Sequence, residues 1–157
     1  MSEVGYSIHD LKAAPQFLPV VADRIWQEWW RPDGRSLGDV EAALGDIVAA
    51  KDFPLTLVAA RGETFLGTVT GIASDIPARP DLGPCLAALW VEPSARGQGI
   101  GMALSSALLE RLTSQGHRYV FLSAKPTMRT YYLLSGWTMI ESDVDAEHQD
   151  VYVRELG

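Results

Sequence analysis

Apolar residues recur along the chain with two periods, one near two and one near 3.6, and the alternation between them sets out the elements. Tyr6 to Leu11 alternates as a short strand, whereas Phe17, Leu18, Val21, Ile25 and Trp29 fall at helical spacing within Ala14 to Trp30. The turn residues Arg31-Pro32-Asp33-Gly34 close that helix. Leu37 to Ala50 repeats the helical pattern, with Val40, Leu44 and Ile47 or Val48 facing inward. Leu55 to Ala60 and Thr64 to Ser74 are rich in β-branched and apolar residues and are parted by Arg61-Gly62-Glu63, which predicts a hairpin. After the proline-broken segment Asp75 to Pro84, Leu86 to Val91 is an almost unbroken apolar run, the pattern of a central strand buried on both faces. Ile100, Leu104, Leu108 and Leu112 then mark an amphipathic helix over Gln98 to Gln115, capped by Gly116. Tyr119 to Ser123 returns as a strand, completing a strand-helix-strand crossover. Thr127 to Leu134 is a shorter helix closed by Gly136, and Trp137 to Ile140 and Val151 to Leu156 supply two final strands.

A chain of 157 residues, 47% hydrophobic and 21% charged, fits a single globular domain over residues 1–157. Its 13 basic and 20 acidic residues leave a formal charge of -7, which argues against a general affinity for nucleic acid and favours cationic partners. Cys85 is the single cysteine, so an internal disulfide and a thiolate metal cluster are excluded, and a reducing cytoplasm is the expected setting. Met1 to Gly5 has no signal-peptide pattern, and no run approaches the ~20 apolar residues of a membrane span, so a soluble, membrane-free protein is expected.

Between the apolar run and the long helix lies Val91-Glu92-Pro93-Ser94-Ala95-Arg96-Gly97-Gln98-Gly99-Ile100-Gly101. Glycines at a helix N-terminus let backbone N–H groups approach an anion, and the helix dipole favours negative charge there. Arg96 adds a permanent cation able to fork two phosphate oxygens. The alternative is a tight turn whose glycines merely allow close helix-to-strand packing. Neither common nucleotide fingerprint fits: a P-loop needs Lys-Ser/Thr where this chain has Ile100-Gly101-Met102, and a dinucleotide turn reads G-x-G-x-x-G after a first strand.

Arg96-Gly97-Gln98-Gly99-Ile100-Gly101, introduced by Val91-Glu92-Pro93, resembles the acetyl-CoA-binding motif [RQ]-x-x-G-x-[GA] of the GNAT acetyltransferase superfamily. Tyr131-Tyr132-Leu133-Leu134-Ser135-Gly136-Trp137 resembles the family's aromatic-Tyr-x-x-x-Gly-aromatic segment. The resemblance implies an α/β (α+β, three-layer) fold: a mixed, strongly twisted central sheet with splayed middle strands and flanking helices, the acyl-CoA N-acyltransferase fold. It implies acetyl-CoA as cosubstrate and no metal. The pantetheine arm would pair with the backbone of Leu89, Trp90 and Val91, the amides of Arg96, Gly97, Gln98, Gly99, Ile100 and Gly101 would hold the pyrophosphate, and Tyr132 would stand near the sulfur. Where many relatives carry asparagine seven residues before the tyrosine, this chain has Lys125, followed by Pro126. The family often forms homodimers.

The implied reaction is direct attack of a neutral amine on the thioester, which needs a base for the ammonium and a donor for the leaving thiolate. Tyr132 suits the second task. Glu28, Glu63, Asp75, Glu92, Glu141, His117 and His148 are chemically able to do the first. Trp26 and Trp30 share a helical face and suit either a wall for a cationic acceptor or packing on the sheet. The acceptor is a small-molecule or peptide amine. Two rivals are a noncatalytic acyl-CoA-binding module and an acyltransferase using a longer acyl chain.

Overall fold

The computed structural model describes residues 5 to 157; the N-terminal segment read above as lacking a leader lies mostly outside them. Seven strands form one mixed sheet flanked by helices, in the order β1-β2-β3-β4-β5-β7-β6. The strands are β1 (Ser7–Asp10), β2 (Leu55–Arg61), β3 (Thr64–Ile72), β4 (Cys85–Val91), β5 (Tyr119–Ala124), β6 (Thr138–Val144) and β7 (Gln149–Glu155). The helices are α1 (Leu18–Ile25), α2 (Leu37–Ala49), α3 (Ile100–Ser114) and α4 (Arg129–Leu134). The residues group into two compact units, one running to Gly71 and resuming over Ala88–Leu108, the other comprising Ile72–Ala87 and Leu109–Gly157.

In the first unit β1, β2 and β3 form an antiparallel meander, with Ser7 opposite Ala60 and Leu55 opposite Gly71. The hairpin turn is tighter than Arg61-Gly62-Glu63 suggests, because Arg61 still pairs with Thr64 and the register shifts between Ala59 and Ala60. Phe17, Val21, Ile25, Val40 and Leu44 bury the facing sides of α1 and α2 in a core shared with Val58, Ala60 and Phe65. Ser36 caps α2 through its hydroxyl, which accepts from Asp39 N–H at 3.1 Å, while the Asp39 carboxylate accepts from Ser36 N–H at 3.2 Å. Buried threonines are satisfied: Thr56 and Thr70 hydroxyls meet at 2.9 Å, and Thr68 donates to Leu57 C=O at 2.9 Å.

The helix expected over Ala14 to Trp30 is built in three pieces. Short 3-10 turns lead into α1, and Trp26–Trp30 widens into a π-helical turn, with Arg31 N–H donating to Trp26 C=O five residues back at 2.7 Å. The widening turns Trp29 outward to 37% exposure, so it leaves the inward stripe to which its spacing assigned it.

Helix α3 lies against β3 at two glycines. A Cβ on Gly67 would stand 2.7 Å from Trp90 C=O and 3.1 Å from a Leu104 methyl, and one on Gly71 would stand 2.9 Å from a Leu108 methyl. Leu104 and Leu108 are fully buried there. Absence of side chains on that stretch of β3 therefore sets how near α3 comes to the sheet.

In the second unit β5, β7 and β6 pair antiparallel, with Phe121 opposite Val153 and Thr138 opposite Val153 on the other edge of β7. The start of β4 joins β5 in parallel at Cys85 opposite Phe121, and Phe121 N–H donates to Pro84 C=O at 3.0 Å. Ile76, Cys85, Val144 and Val151 form one buried apolar cluster of this unit. Asp150 is a buried carboxylate on β7, held by the Arg129 fork at 2.9 and 2.8 Å and by Tyr152 O–H at 3.3 Å. The Arg129 hydrogen bonds keep its carboxyl below the usual carboxylate range although burial opposes them. This pair ties the first residue of α4 to the sheet.

Gly67→Ala adds a methyl where backbone already stands, and is expected to destabilise the protein by ~1–3 kcal/mol in urea denaturation. Gly45→Ala, in α2 with open space around the new methyl, is expected to stabilise it by ~0.4–1 kcal/mol in the same measurement.

Candidate functional site

Only the first half of β4 meets the expectation of a strand buried on both faces. Cys85, Leu86 and Ala87 are buried, but Ala88, Leu89, Trp90 and Val91 are half-exposed. The change coincides with Ala88, whose φ of 53° is in the left-handed region. A non-glycine residue there is strained within a strand, and such a kink re-aims the residues that follow it. Leu89 to Val91 thus form an accessible strand segment leading into the glycine-rich turn.

Pro93 to Ala95 make one 3-10 turn, in which Ala95 N–H donates to Glu92 C=O at 2.8 Å and Arg96 N–H to Pro93 C=O at 3.4 Å. The Arg96 amide thus has the Pro93 carbonyl as a partner within the turn. Gly97 and Gly99 have φ of +79° and +80°, and a Cβ on either would meet no atom within 4 Å. Close packing does not require glycine at these two positions; Gly67 and Gly71 do that work. What Gly97 and Gly99 provide is the left-handed backbone and an uncovered surface beside the first turn of α3. Gly99 C=O accepts the helix's early hydrogen bond from Ala103 N–H at 3.0 Å. The leading N–H groups of a helix generally lack intrahelical partners, and a helix N-terminus favours an anion such as a diphosphate. The cradle fits the diphosphate of an acyl-CoA.

Arg96 is held at one edge of this surface. Its Nε donates to Val91 C=O at 2.8 Å and its guanidinium carbon lies 4.8 Å above the Trp90 ring centroid. Trp90 N–H donates to Glu92 Oε1 at 3.0 Å, and Arg24 Nε donates to the same oxygen at 2.6 Å. Burial raises the Glu92 pKa, but the hydrogen bonds from Arg24 and Trp90 outweigh it and hold the carboxyl below its ordinary value. Glu92 is thus a fixed anion, committed to Arg24 and unsuited to taking a proton. Arg24 escapes sequence reading because it lies on a different element, far from any motif.

Tyr132 sits on α4 in the second unit, 8% exposed, amid aromatic neighbours. Tyr131 and Trp137 meet it edge-on at 5.0 and 6.3 Å, and Tyr152 lies tilted at 5.3 Å. Burial pushes its phenol up to about 12, with Tyr131 and Tyr152 adding to the rise. It therefore keeps its proton throughout the neutral range and is available as a donor. Trp137 N–H donates to Tyr132 C=O at 3.1 Å, closing the short helix. Lys125 is exposed and precedes the 3-10 turn that leads into α4.

Of the base candidates, Glu141 is paired with Arg79 at 2.6 Å and His148 with Asp143. Glu28 and Glu63 are exposed in the first unit, and His117 is half-buried after α3. Asp75 differs: burial raises its carboxyl to about 6. Part of the side chain is nonetheless open to solvent. Nearby, burial pushes the Cys85 thiol up to about 11, and its Sγ donates to Leu82 C=O at 3.4 Å, which marks a structural rather than a nucleophilic cysteine.

The tryptophans of the π-helical turn do not present bare faces. Arg31 lies over Trp26 at 5.4 Å and Arg35 over Trp30 at 4.6 Å, while Trp26 N–H donates to Arg35 C=O at 2.8 Å. Both rings also pack on the core of the first unit. Among the described residues, no cluster of His, Cys, Asp and Glu could hold a metal ion, and no helix is long and apolar enough to cross a membrane.

A family model described as the acetyltransferase (GNAT) domain matches residues 50–151. Among solved structures, an acetyltransferase from Streptococcus agalactiae superposes with a TM-score of 0.72 at 17% identity, over 97% of this chain and 99% of that one. An aminoglycoside 6'-N-acetyltransferase complexed with coenzyme A gives 0.74 at 15% identity, over 95% and 96% of the two chains. A GNAT family N-acetyltransferase from Escherichia coli in complex with coenzyme A gives 0.67 at 18% identity, over 97% and 82%. No curated protein matches the sequence. The superpositions speak for the fold, and the family model, which spans β4, the glycine-rich turn, α3 and α4, places the chain in the GNAT acetyltransferase family.

Proposed function

We propose that the chain transfers the acetyl group of acetyl-CoA to a primary amine. The observation that carries this reading is the turn at Gly97 and Gly99: left-handed backbone at a helix N-terminus, with open space where side chains would stand, in a member of an acetyltransferase family. Amides from Gly97 to Gly101 would hold the diphosphate, and the backbone of Leu89 to Val91 would pair with the pantetheine amides. The cosubstrate supplies an activated acetyl thioester. Tyr132, kept protonated by burial, donates a hydrogen bond to the leaving thiolate. Among the candidate bases Asp75 is the one whose carboxyl is raised, to about 6, and it is the first to test as the group that takes the ammonium proton. The charge of -7 and the likeness to an aminoglycoside 6'-N-acetyltransferase support a cationic small molecule as the acceptor.

An amine panel containing polyamines, aminoglycosides and peptides with free N-termini, assayed for thiol release from acetyl-, propionyl- and succinyl-CoA, tests the proposal. Release from acetyl-CoA with a cationic small amine is expected. Binding of coenzyme A without thiol release from any donor would instead support the noncatalytic module.

Gly99→Asn is a sharper probe of the cradle than a bulky substitution. Asparagine tolerates a left-handed backbone better than most residues, while its side chain fills the open surface. Calorimetry is expected to show coenzyme A affinity lowered roughly ten-fold or more, about 1.4 kcal/mol, with the circular dichroism spectrum unchanged.

The pH dependence of kcat/KM separates the two side chains. A base must be ionised to act, so activity should rise with pH through about 6, the value burial gives Asp75. Asp75→Asn should remove that limb and lower the plateau by roughly 10²-fold or more. Tyr132→Phe should lower the plateau while leaving the limb where it was. An unshifted limb in Asp75→Asn would reassign the base.

A further inference from the structure

Arg24 lies on α1, outside both motifs, yet its side chain reaches the end of β4. Its Nε donates to Glu92 Oε1 at 2.6 Å and its NH2 to Oε2 at 3.3 Å, and it also pairs with the neighbouring Asp23. Glu92 Oε1 accepts the Trp90 indole N–H as well, at 3.0 Å. A carboxylate gripped by a guanidinium fork has little freedom, so the indole it accepts from is fixed in its plane. On the face of that indole lies the Arg96 guanidinium, whose Nε is tied to Val91 C=O. Four side chains thus form a chain of contacts from α1 to the mouth of the glycine-rich turn, with alternating charge and one aromatic ring between Glu92 and Arg96.

We propose that Arg24 is a positioning residue for the cofactor-binding turn: by clamping Glu92 it fixes Trp90, and through Trp90 it sets where Arg96 holds its positive charge beside Gly97. The inference rests on the reading that this turn binds acyl-CoA. Arg96 has a long, flexible stem, and a guanidinium held in place before the ligand arrives loses less freedom on binding than one that must be ordered. A rival role for Arg24 is plain anchoring of α1 to the sheet. The two roles differ in what they move, because a part-exposed ion pair contributes little to stability, whereas misplacing Arg96 weakens the ligand.

Coenzyme A itself is the probe, with its Kd measured by calorimetry on the unaltered protein, Arg24→Met and Arg24→Lys. Methionine keeps an unbranched apolar stem and removes the fork; lysine keeps the charge as a single point. Coenzyme A is expected to bind Arg24→Met about ten-fold more weakly, within the usual range for coupled neighbours, and Arg24→Lys with intermediate affinity. The KM for acetyl-CoA should rise in step, with kcat at saturating acetyl-CoA and the melting temperature nearly unchanged. An unaltered Kd in folded Arg24→Met overturns the inference and leaves the cofactor assignment standing. Failure of the unaltered protein to bind coenzyme A removes both. If Arg24→Met does not fold, Arg24→Lys decides: weaker binding supports the positioning role, and equal binding overturns it.

Discussion

Close approach of helix α3 to strand β3 governs the first unit. Two glycines on one strand allow leucine methyl groups to rest almost on the backbone, and Trp90 C=O comes within 2.7 Å of where a Gly67 side chain would begin. Close packing of this kind has no slack, since an added methylene must displace something. The path from β4 through its 3-10 turn to the first turn of α3 is therefore fixed at both ends. Gly97 and Gly99 are then free to serve the surface instead of the interior. The chain uses the same residue type for opposite ends: at β3 to let protein come near, and at the turn to keep protein away.

The charge states of Tyr132, Asp75, Glu92 and Asp150 follow from their surroundings more than from residue type. Tyr132 is a phenol in an aromatic cluster, where burial favours the neutral form. Asp75 is a carboxylic acid whose surroundings favour the neutral form up to about 6. Glu92 and Asp150 feel burial too, but each is gripped by an arginine and stays charged. A protonated phenol, a raised carboxyl and two carboxylates held charged thus arise from four side chains, and the presence or absence of an arginine fork separates the carboxylates into two kinds.

Much of this architecture was legible from hydrophobic periodicity, because helices and strands that bury one face must repeat that face. The bounds of α2, β2, β5 and β7 lie within two residues of those read from the pattern, and the R-x-x-G-x-G spacing located the turn before any fold was known. Periodicity could not show what interrupts it. Trp29 lies on the helical stripe in sequence, but the π-helical turn rotates it outward, and no residue type announces that turn. The run from Leu86 to Val91 is apolar throughout, yet half of it is accessible, because the left-handed kink is at an alanine instead of a glycine. Arg24 and Asp150 were missed for a different reason. Each acts through a partner on another element, and sequence separation hides such pairs. Asp150 stands one residue before the strand that the pattern marks as Val151 to Leu156, so nothing in the sequence set it in a buried position beside an arginine.

The guanidinium-on-indole contacts of the π-helical turn bear on what a cationic ligand could gain there. Because Arg35 already lies over Trp30 and Arg31 over Trp26, an incoming ammonium that sought either face would exchange one cation for another. Its gain would be the difference between two similar attractions, close to zero for a single charge. These tryptophans therefore offer no general reward for cationic character. A ligand that profited from these faces would have to bring more than one contact at a time, so the spacing of charges along it would count for more than the presence of charge.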